Sequence, residues 1–321
     1  MFLLYGFYNK VVELDWLCRL ATRQKGGCAM YLQEFTLPGE GWEERYLSPM
    51  DNPEMKRTCY TSFYPFRIFP QKQIETLRFE PVTFLYGGNG SGKTTLLNLI
   101  AERLLLKRGA RYNRSAFFSD YAAECRYEAP RLTAEIREQS RMITSDDVFD
   151  YLLDLRCLND GVDHKREDLL AEYQEERYAS FRMKSLDDYE KLKRNNDAKR
   201  MTGSKYVKKH VMENIPAKSN GQSAFGFFTE HIRENALYLL DEPENSLAAD
   251  LQIELSQFLE NAARFYHCQF IIATHSPFLL AMKHCRIYDL DAVPVQTKRW
   301  SALTHVRTYY DFFMSHREDF V

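Results

Sequence analysis

The stretch that most constrains this 321-residue chain is "VTFLYGGNGSGKTTLLNLIAERLLL", residues 82–106. Its first five residues are apolar, aromatic or β-branched without polar alternation, the pattern of a strand buried on both faces. A helical run begins at Lys93. Between them, "GGNGSGKT" fits G-x-x-x-x-G-K-[ST] in the strand–loop–helix setting that this pattern requires. The glycines let the backbone curl until its N–H groups and the helix N-terminus face one point, which makes an anion site. Gly87, Gly88, Asn89, Gly90, Ser91, Gly92, Lys93, Thr94 and Thr95 are therefore expected to hold phosphate, with Lys93 on the β- and γ-phosphates and Thr94 on Mg²⁺. The alternative is a glycine-rich turn that only caps a helix.

Two later stretches complete a chemical set. "ALYLLDEPE" ends an apolar strand in Asp241 and Glu242, adjacent acids that a strand end would otherwise disfavour. Beside a phosphate loop they divide the work: Asp241 for the metal, Glu242 to polarise an attacking water. "QFIIATHSPF" is another buried strand, and His275 at its end lies 33 residues after Glu242, placed to reach a γ-phosphate. A packed or capping histidine is the alternative there. "KSNGQSAFGFF" contributes Ser219, Asn220, Gly221 and Gln222 at a helix start, 22 residues before Asp241 for Ser219. A Ser and a Gly at a helix N-terminus form a second anion site, while a plain N-cap is the simpler reading.

In this order the motifs resemble those of ATP-binding-cassette ATPases, over roughly residues 30–291. Lys218 and Asn220 depart from the family's L-S-G-G-Q signature. The resemblance implies an α/β fold: a P-loop NTPase of ABC-ATPase type, with a mixed or parallel central sheet, an antiparallel N-terminal β subdomain and an inserted helical subdomain. It also implies ATP and Mg²⁺ as ligands, ATP hydrolysis, and an ATP-dependent homodimer in which Ser219 and the amides near Gly221 cap the nucleotide of the other protomer. "ENSLAAD", with Asn245 and Ser246, stands at the place of the D-loop. Gln139 is a candidate for the Q-loop, with the neighbouring "SRMITSDD" an equal match, and Tyr64 or Phe66 for the adenine-stacking ring. "DEPE" and "THSP" are similar to the SMC and RecF-like branch and to bacterial AAA-family ATPases, which implies work in DNA maintenance or mobile-element defence with DNA or a nuclease or effector as partner. The ATP-binding subunit of a transporter is the alternative; a nucleotide sensor and a small-molecule kinase explain fewer of the motifs.

The remaining residues set boundaries. Forty-three basic against 45 acidic residues leave a formal charge of −2, so no whole-chain excess draws the protein to nucleic acid or membrane. The seven cysteines are odd in number and lack a C-x-x-C pair, which speaks against zinc or a disulfide framework and for a reducing, cytoplasmic setting. No apolar run approaches the roughly 18 residues of a membrane helix, so no membrane insertion is expected. Residues 1–29 read as a translated leader before a native start at Met30, because Lys25-Gly26-Gly27 can be encoded by a purine-rich ribosome-binding sequence; an ordinary N-terminal helix is the alternative. The expected organisation is then 30–118 for the β region and phosphate-loop half, 119–218 for a helical insertion, and 219–321 for the remaining half of the core with a C-terminal tail. "MYLQEFTLPGEGW" and "CYTSFYPFRIF" are expected to be antiparallel strands. Within the insertion, Lys191 to His210 carries eight Lys or Arg against Asp197 alone, a stretch that could track a phosphate backbone with Tyr206 stacking on bases, or form a solvated helix face.

Overall fold

The computed structural model describes residues 30–50, 52, 55, 60–178, 189–215 and 219–320. The leader assigned to residues 1–29, and Lys218, lie outside the described residues. In chain order the main elements are β1 (Glu34–Thr36), α1 (Glu40–Leu47), β2 (Thr76–Arg78), β3 (Val82–Tyr86), α2 (Lys93–Leu104), α3 (Phe118–Glu124), β4 (Arg126–Glu128), α4 (Ala134–Gln139) and β5 (Arg141–Thr144). Then follow α5 (Ser145–Tyr178), α6 (Tyr189–Arg200), α7 (Gly203–His210), α8 (Asn220–His231), β6 (Leu237–Asp241), α9 (Ala249–Phe265), β7 (Gln269–Ala273), α10 (Pro277–Leu280), β8 (Arg286–Asp289), β9 (Gln296–Thr297) and α11 (Thr304–Ser315).

Six strands form one mixed sheet in the order β5-β6-β7-β3-β8-β9. All neighbours are parallel except the last pair, β8 and β9. Every residue of β3, β6 and β7 is buried. The reason is visible in the side chains: Leu85, Leu239 and Ile271 enter one core with α2 and α3, whereas Phe84, Leu240 and Ile272 enter the opposite core with α8 and α9. An apolar side chain is needed at every position, not every second one, because helices cover both faces. The α/β class with its parallel core therefore holds. The antiparallel subdomain is a separate three-stranded sheet, β2-β1-β4.

The first described residues are tied into this core. The buried Gln269 side chain accepts from Tyr31 N and Leu32 N, both at 2.8 Å, and donates to Leu32 O at 2.7 Å. An unpaired buried backbone amide costs about 1–3 kcal/mol, so one glutamine fastens the segment after Met30 to the centre of the sheet.

Three sequence expectations need correction. Residues 60–69 of "CYTSFYPFRIF" form no strand: from Tyr64 the chain turns, Phe66 is buried in an aromatic cluster with Trp42 and Tyr121, and Phe69 is buried in the same core. Pro65 and Pro70 remove two backbone donors a ladder would need. The end of "MYLQEFTLPGEGW" enters α1 after a three-residue β1. Residues 119–218 are not wholly helical, since β4 belongs to the small sheet and β5 to the edge of the large one. Strands of three and four residues are too short for their periodicity to show in a charged sequence.

The helical excursion starts at Ser145, at the end of β5. α5 runs 34 residues, about 50 Å at the α-helical rise, and α6 and α7 fold back on it. They share a small core of Leu169, Tyr173, Ala198, Tyr206 and Val207. Tyr206 is only 1% exposed and packs on Tyr173 with ring centroids 5.6 Å apart, so it is not the base-stacking residue of a nucleic-acid face. Among the described residues no helix is long and apolar enough to cross a membrane.

Replacing Gln269 with Ala is expected to lower unfolding free energy by about 2–5 kcal/mol, from the orphaned Tyr31 and Leu32 amides and the lost packing. Urea denaturation of the full chain measures it; a change below about 0.5 kcal/mol, the scale of a surface substitution, would mean that the segment is not anchored there.

Candidate functional site: a phosphate loop and its strand-end partners

Parallel strands deliver their C-terminal ends to one edge of the sheet, and ligands of open α/β sheets bind there. The phosphate loop leaves β3, Asp241 and Glu242 leave β6, His275 leaves β7, and Asp291 follows β8. Because β7 lies between β6 and β3, the histidine stands between the carboxylates and the loop.

The loop has the expected build. Gly92, the N-cap of α2, has φ 93°, and a Cβ there would stand 3.3 Å from Ile68 Cγ2, so both backbone and space ask for glycine. Lys93 is 5% exposed. Its ammonium donates to Gly87 O at 2.7 Å and Gly88 O at 3.2 Å and lies 2.8 Å from His275 Nε2. Burial lowers the Lys93 pKa while Glu242 and Asp241 oppose the shift. Burial and then Lys93 hold His275 below its usual value. Glu242 Oε1 is 3.5 Å from His275 Nε2, and Asn245 Nδ2 donates to Glu242 Oε2 at 3.1 Å. Glu242 has φ 49° and Ser246 φ 71°, so the turn after β6 holds two non-glycine residues in left-handed backbone. Such conformations cost on the order of 1–3 kcal/mol each and concentrate at functional sites.

Asp241 fits a divalent cation. It is 8% exposed and its Oδ1 has no hydrogen-bond partner, an orphaned oxygen pointing to a ligand outside the protein. Burial pushes its carboxyl up to about 6, against the pull of a hydrogen bond from Thr94. A carboxylate and a threonine hydroxyl side by side are the hard oxygen donors Mg²⁺ takes alongside phosphates and water. Among the described residues no group of three or more His, Cys, Asp or Glu is arranged to hold a metal alone.

Ser219 is the N-cap of α8: its Oγ accepts from Gln222 N at 3.2 Å, and Gln222 Oε1 accepts from Ser219 N at 3.3 Å. This is a capping box. Asn220 Oδ1 accepts from Arg156 of α5 at 2.9 Å. None of these hydrogen bonds involves the phosphate loop. Gly221 is required sterically, since a Cβ would meet Leu251 Cδ1 at 2.7 Å and Ser246 O at 3.3 Å. The α8 N-terminus thus rests directly on the turn carrying Asn245 and Ser246.

Other candidates fall elsewhere. Gln139 ends α4 and precedes β5, whereas Thr144 at the far end of β5 pairs with Asp241. Gln139 is therefore at the wrong end of the sheet, and the "SRMITSDD" alternative supplies the residues at the right end. Phe66 is 6% exposed and surrounded by rings, so it is core. Tyr64 stays near the loop, but its hydroxyl donates to Thr95 Oγ1 at 2.9 Å and its ring stacks on Phe118. Two residues to which the sequence assigns no role belong to the site. Asp291 Oδ2 accepts from Gly88 N at 2.7 Å, and Glu244 accepts from the backbone of the His275 loop at 2.6 Å. Each is joined to its partner by strand order, which leaves no local signal.

Comparison with known proteins adds a family. Residues 100–281, more than half the chain, match the family model described as "AAA domain, putative AbiEii toxin, Type IV TA system". No curated protein compared matches the sequence. Similar solved structures include a metal-chelate type ABC transporter in an inward-facing conformation, at 14% identity and TM-score 0.35, covering 87% of this chain and 88% of that one. A dimeric ATP-binding cassette bound to ADP and Pi has 17% identity and TM-score 0.34, with 71% and 90% covered. The SMC head domain from Thermotoga maritima has 13% identity and TM-score 0.36, with 84% and 99% covered.

An alanine at Gly92 should raise the dissociation constant for a fluorescent ATP analogue about tenfold or more, since 1.4 kcal/mol of backbone strain suffices for that. Titration of the folded variant measures it; unchanged affinity would mean that the loop does not have to curl to bind.

Proposed function

The chain belongs to this AAA-domain family of P-loop ATPases, and from that premise we propose that it hydrolyses Mg-ATP to drive a conformational switch. The observation that carries the reading is the convergence of Lys93, His275 and Glu242 within 2.8 and 3.5 Å at the strand ends, beside the orphaned Asp241 oxygen. Loop amides and the Lys93 ammonium neutralise the β- and γ-phosphates. Glu242 orients and deprotonates the attacking water, while His275, kept neutral with its proton on Nε2 once Lys93 has turned to the phosphates, donates to the γ-phosphate. Mg²⁺, held by Thr94 and Asp241, supplies further charge stabilisation when bound.

Ser219 and the amides around Gly221, which make no hydrogen bond to their own phosphate loop among the described residues, would form a complementary anion site, and two chains related head to tail would each cap the other's nucleotide. The direct support of α8 by the turn carrying Ser246 favours this arrangement, because the two segments that would meet a partner pack against each other. The work is assigned to mobile-element defence or DNA maintenance in the cytoplasm, with a DNA, nuclease or effector partner. The toxin–antitoxin wording of the family description supports the defence reading. The helical arm from Ser145 to residue 215, with its own small core, is the natural subdomain through which a partner would be engaged.

The Glu242→Gln protein should retain ATP binding, lose about 10²–10³-fold in turnover, and double in mass with Mg-ATP in light scattering after size exclusion. Ser219→Arg should prevent that doubling while leaving nucleotide binding intact. A Glu242→Gln protein that stays monomeric would remove the two-chain sandwich and favour the transporter-subunit or sensor alternatives. Hydrolysis undiminished in Ser219→Arg would remove the trans role of that serine.

A further inference from the structure

We propose that Glu244 is a positioning residue that sets His275 by gripping the backbone of its loop, and that it couples the turn after β6 to the histidine. The inference rests on the ATPase reading above. Glu244 follows Pro243 in the turn after β6, and its side chain crosses to the loop after the neighbouring strand β7. There Oε1 accepts three hydrogen bonds: from Thr274 Oγ1 at 2.7 Å, His275 N at 2.6 Å and Ser276 N at 3.1 Å. Two successive backbone amides converging on one oxygen fix the peptide planes on both sides of the His275 Cα, and with them the direction of its side chain.

The hold is reinforced on the far side. Ser276 Oγ donates to Gln252 Oε1 of α9 at 2.7 Å and caps α10 through Phe278 N and Leu279 N. The histidine is thereby fixed between a carboxylate and a helix cap, and its ring is left to meet Lys93 and Glu242. Glu244 itself makes no hydrogen bond to either residue among those described; its charge reaches Lys93 and Asp241 across space, while its geometric hold is on the His275 backbone, and the neutral Glu244→Gln variant separates the two. Its second oxygen, Oε2, is shielded from solvent without a partner, and burial raises the carboxyl pKa. A buried group of this kind is expensive to keep, and its three donors define what it is kept for. The same residue opens the turn toward the α8 N-terminus: Leu247 N donates to Glu244 O at 3.0 Å. Movement of Asn245 and Ser246 is therefore transmitted to the backbone of His275 through one side chain.

The test uses the full-length chain and compares Glu244→Ala, Glu244→Gln, His275→Ala and the two double variants, reading steady-state ATP hydrolysis and the affinity for a fluorescent ATP analogue. Glu244→Ala should lower kcat by about 10- to 100-fold, the scale expected when a reacting group is misplaced by around an ångström. Analogue affinity should stay within about threefold, below the tenfold step of 1.4 kcal/mol. Glu244→Gln, which keeps an oxygen acceptor, should recover most of the rate. Each double variant should be no slower than His275→Ala alone. If Glu244→Ala does not fold, Glu244→Leu, which fills the space without an acceptor, takes its place in the cycle with His275→Ala. Losses that multiply in the double variants, or an Ala variant with normal kcat, would overturn the inference while leaving the ATPase reading intact. A wild-type chain that binds but does not hydrolyse the nucleotide would overturn both.

Discussion

Five parallel strands buried on both faces are the constraint from which the rest follows. Parallel strands cannot be joined by tight turns, so each returns over a helix and each begins at the same edge. The opposite edge then gathers the loops after β3, β5, β6, β7 and β8 whatever their distance in sequence. Lys93 and His275, 182 positions apart, meet at 2.8 Å because β3 and β7 are neighbours in register, with Leu85 opposite Ala273. Losing the apolar face of either strand would separate them.

Enclosure gives these groups their electrostatic character. Burial lowers Lys93 and His275 and raises Asp241 and Glu244. All four shifts have desolvation as their largest cause, so each charge gains more from a partner of opposite sign than it would in water. An anionic triphosphate with a hard divalent cation is complementary to both halves of the set. Asp291 adds a different element: by accepting from Gly88 N at 2.7 Å, its carboxylate holds the same loop residue whose carbonyl accepts from Lys93.

The helical arm is joined to the site through the residues leading to α8. Asn159 accepts from Ile215 N at 2.9 Å and donates to Ile215 O at 3.1 Å, and Arg156 donates to Asn220. The base of α5 and the N-terminus of α8 are hydrogen-bonded as one body. At the other end of the same body, Gly221 lies against the carbonyl of Ser246, two residues beyond Glu244. A continuous path of contacts leads from the arm to the strand ends, each step a short hydrogen bond or close packing contact.

What the sequence determined by itself was local chemistry. The curl of Gly87 to Thr95, the acids closing β6, the histidine after β7 and the cap formed by Ser219 are each written in adjacent residues, because a strand end, a glycine turn or a helix start needs only its neighbours. The same limit explains the misreadings. Phe66 and Tyr206 are aromatic residues whose exposure no local pattern records; tertiary packing placed one under α1 and the other in the arm. Gln139 has a suitable spacing but stands at the wrong end of β5, and β5 is recognisable as a strand only once β6 lies beside it. Glu244 and Asp291 acquire roles because β6 borders β7 and β3 borders β8. Strand order is decided by the burial of two apolar faces at once, a property of the whole chain, and so the partners of these two carboxylates belong to the tertiary structure alone.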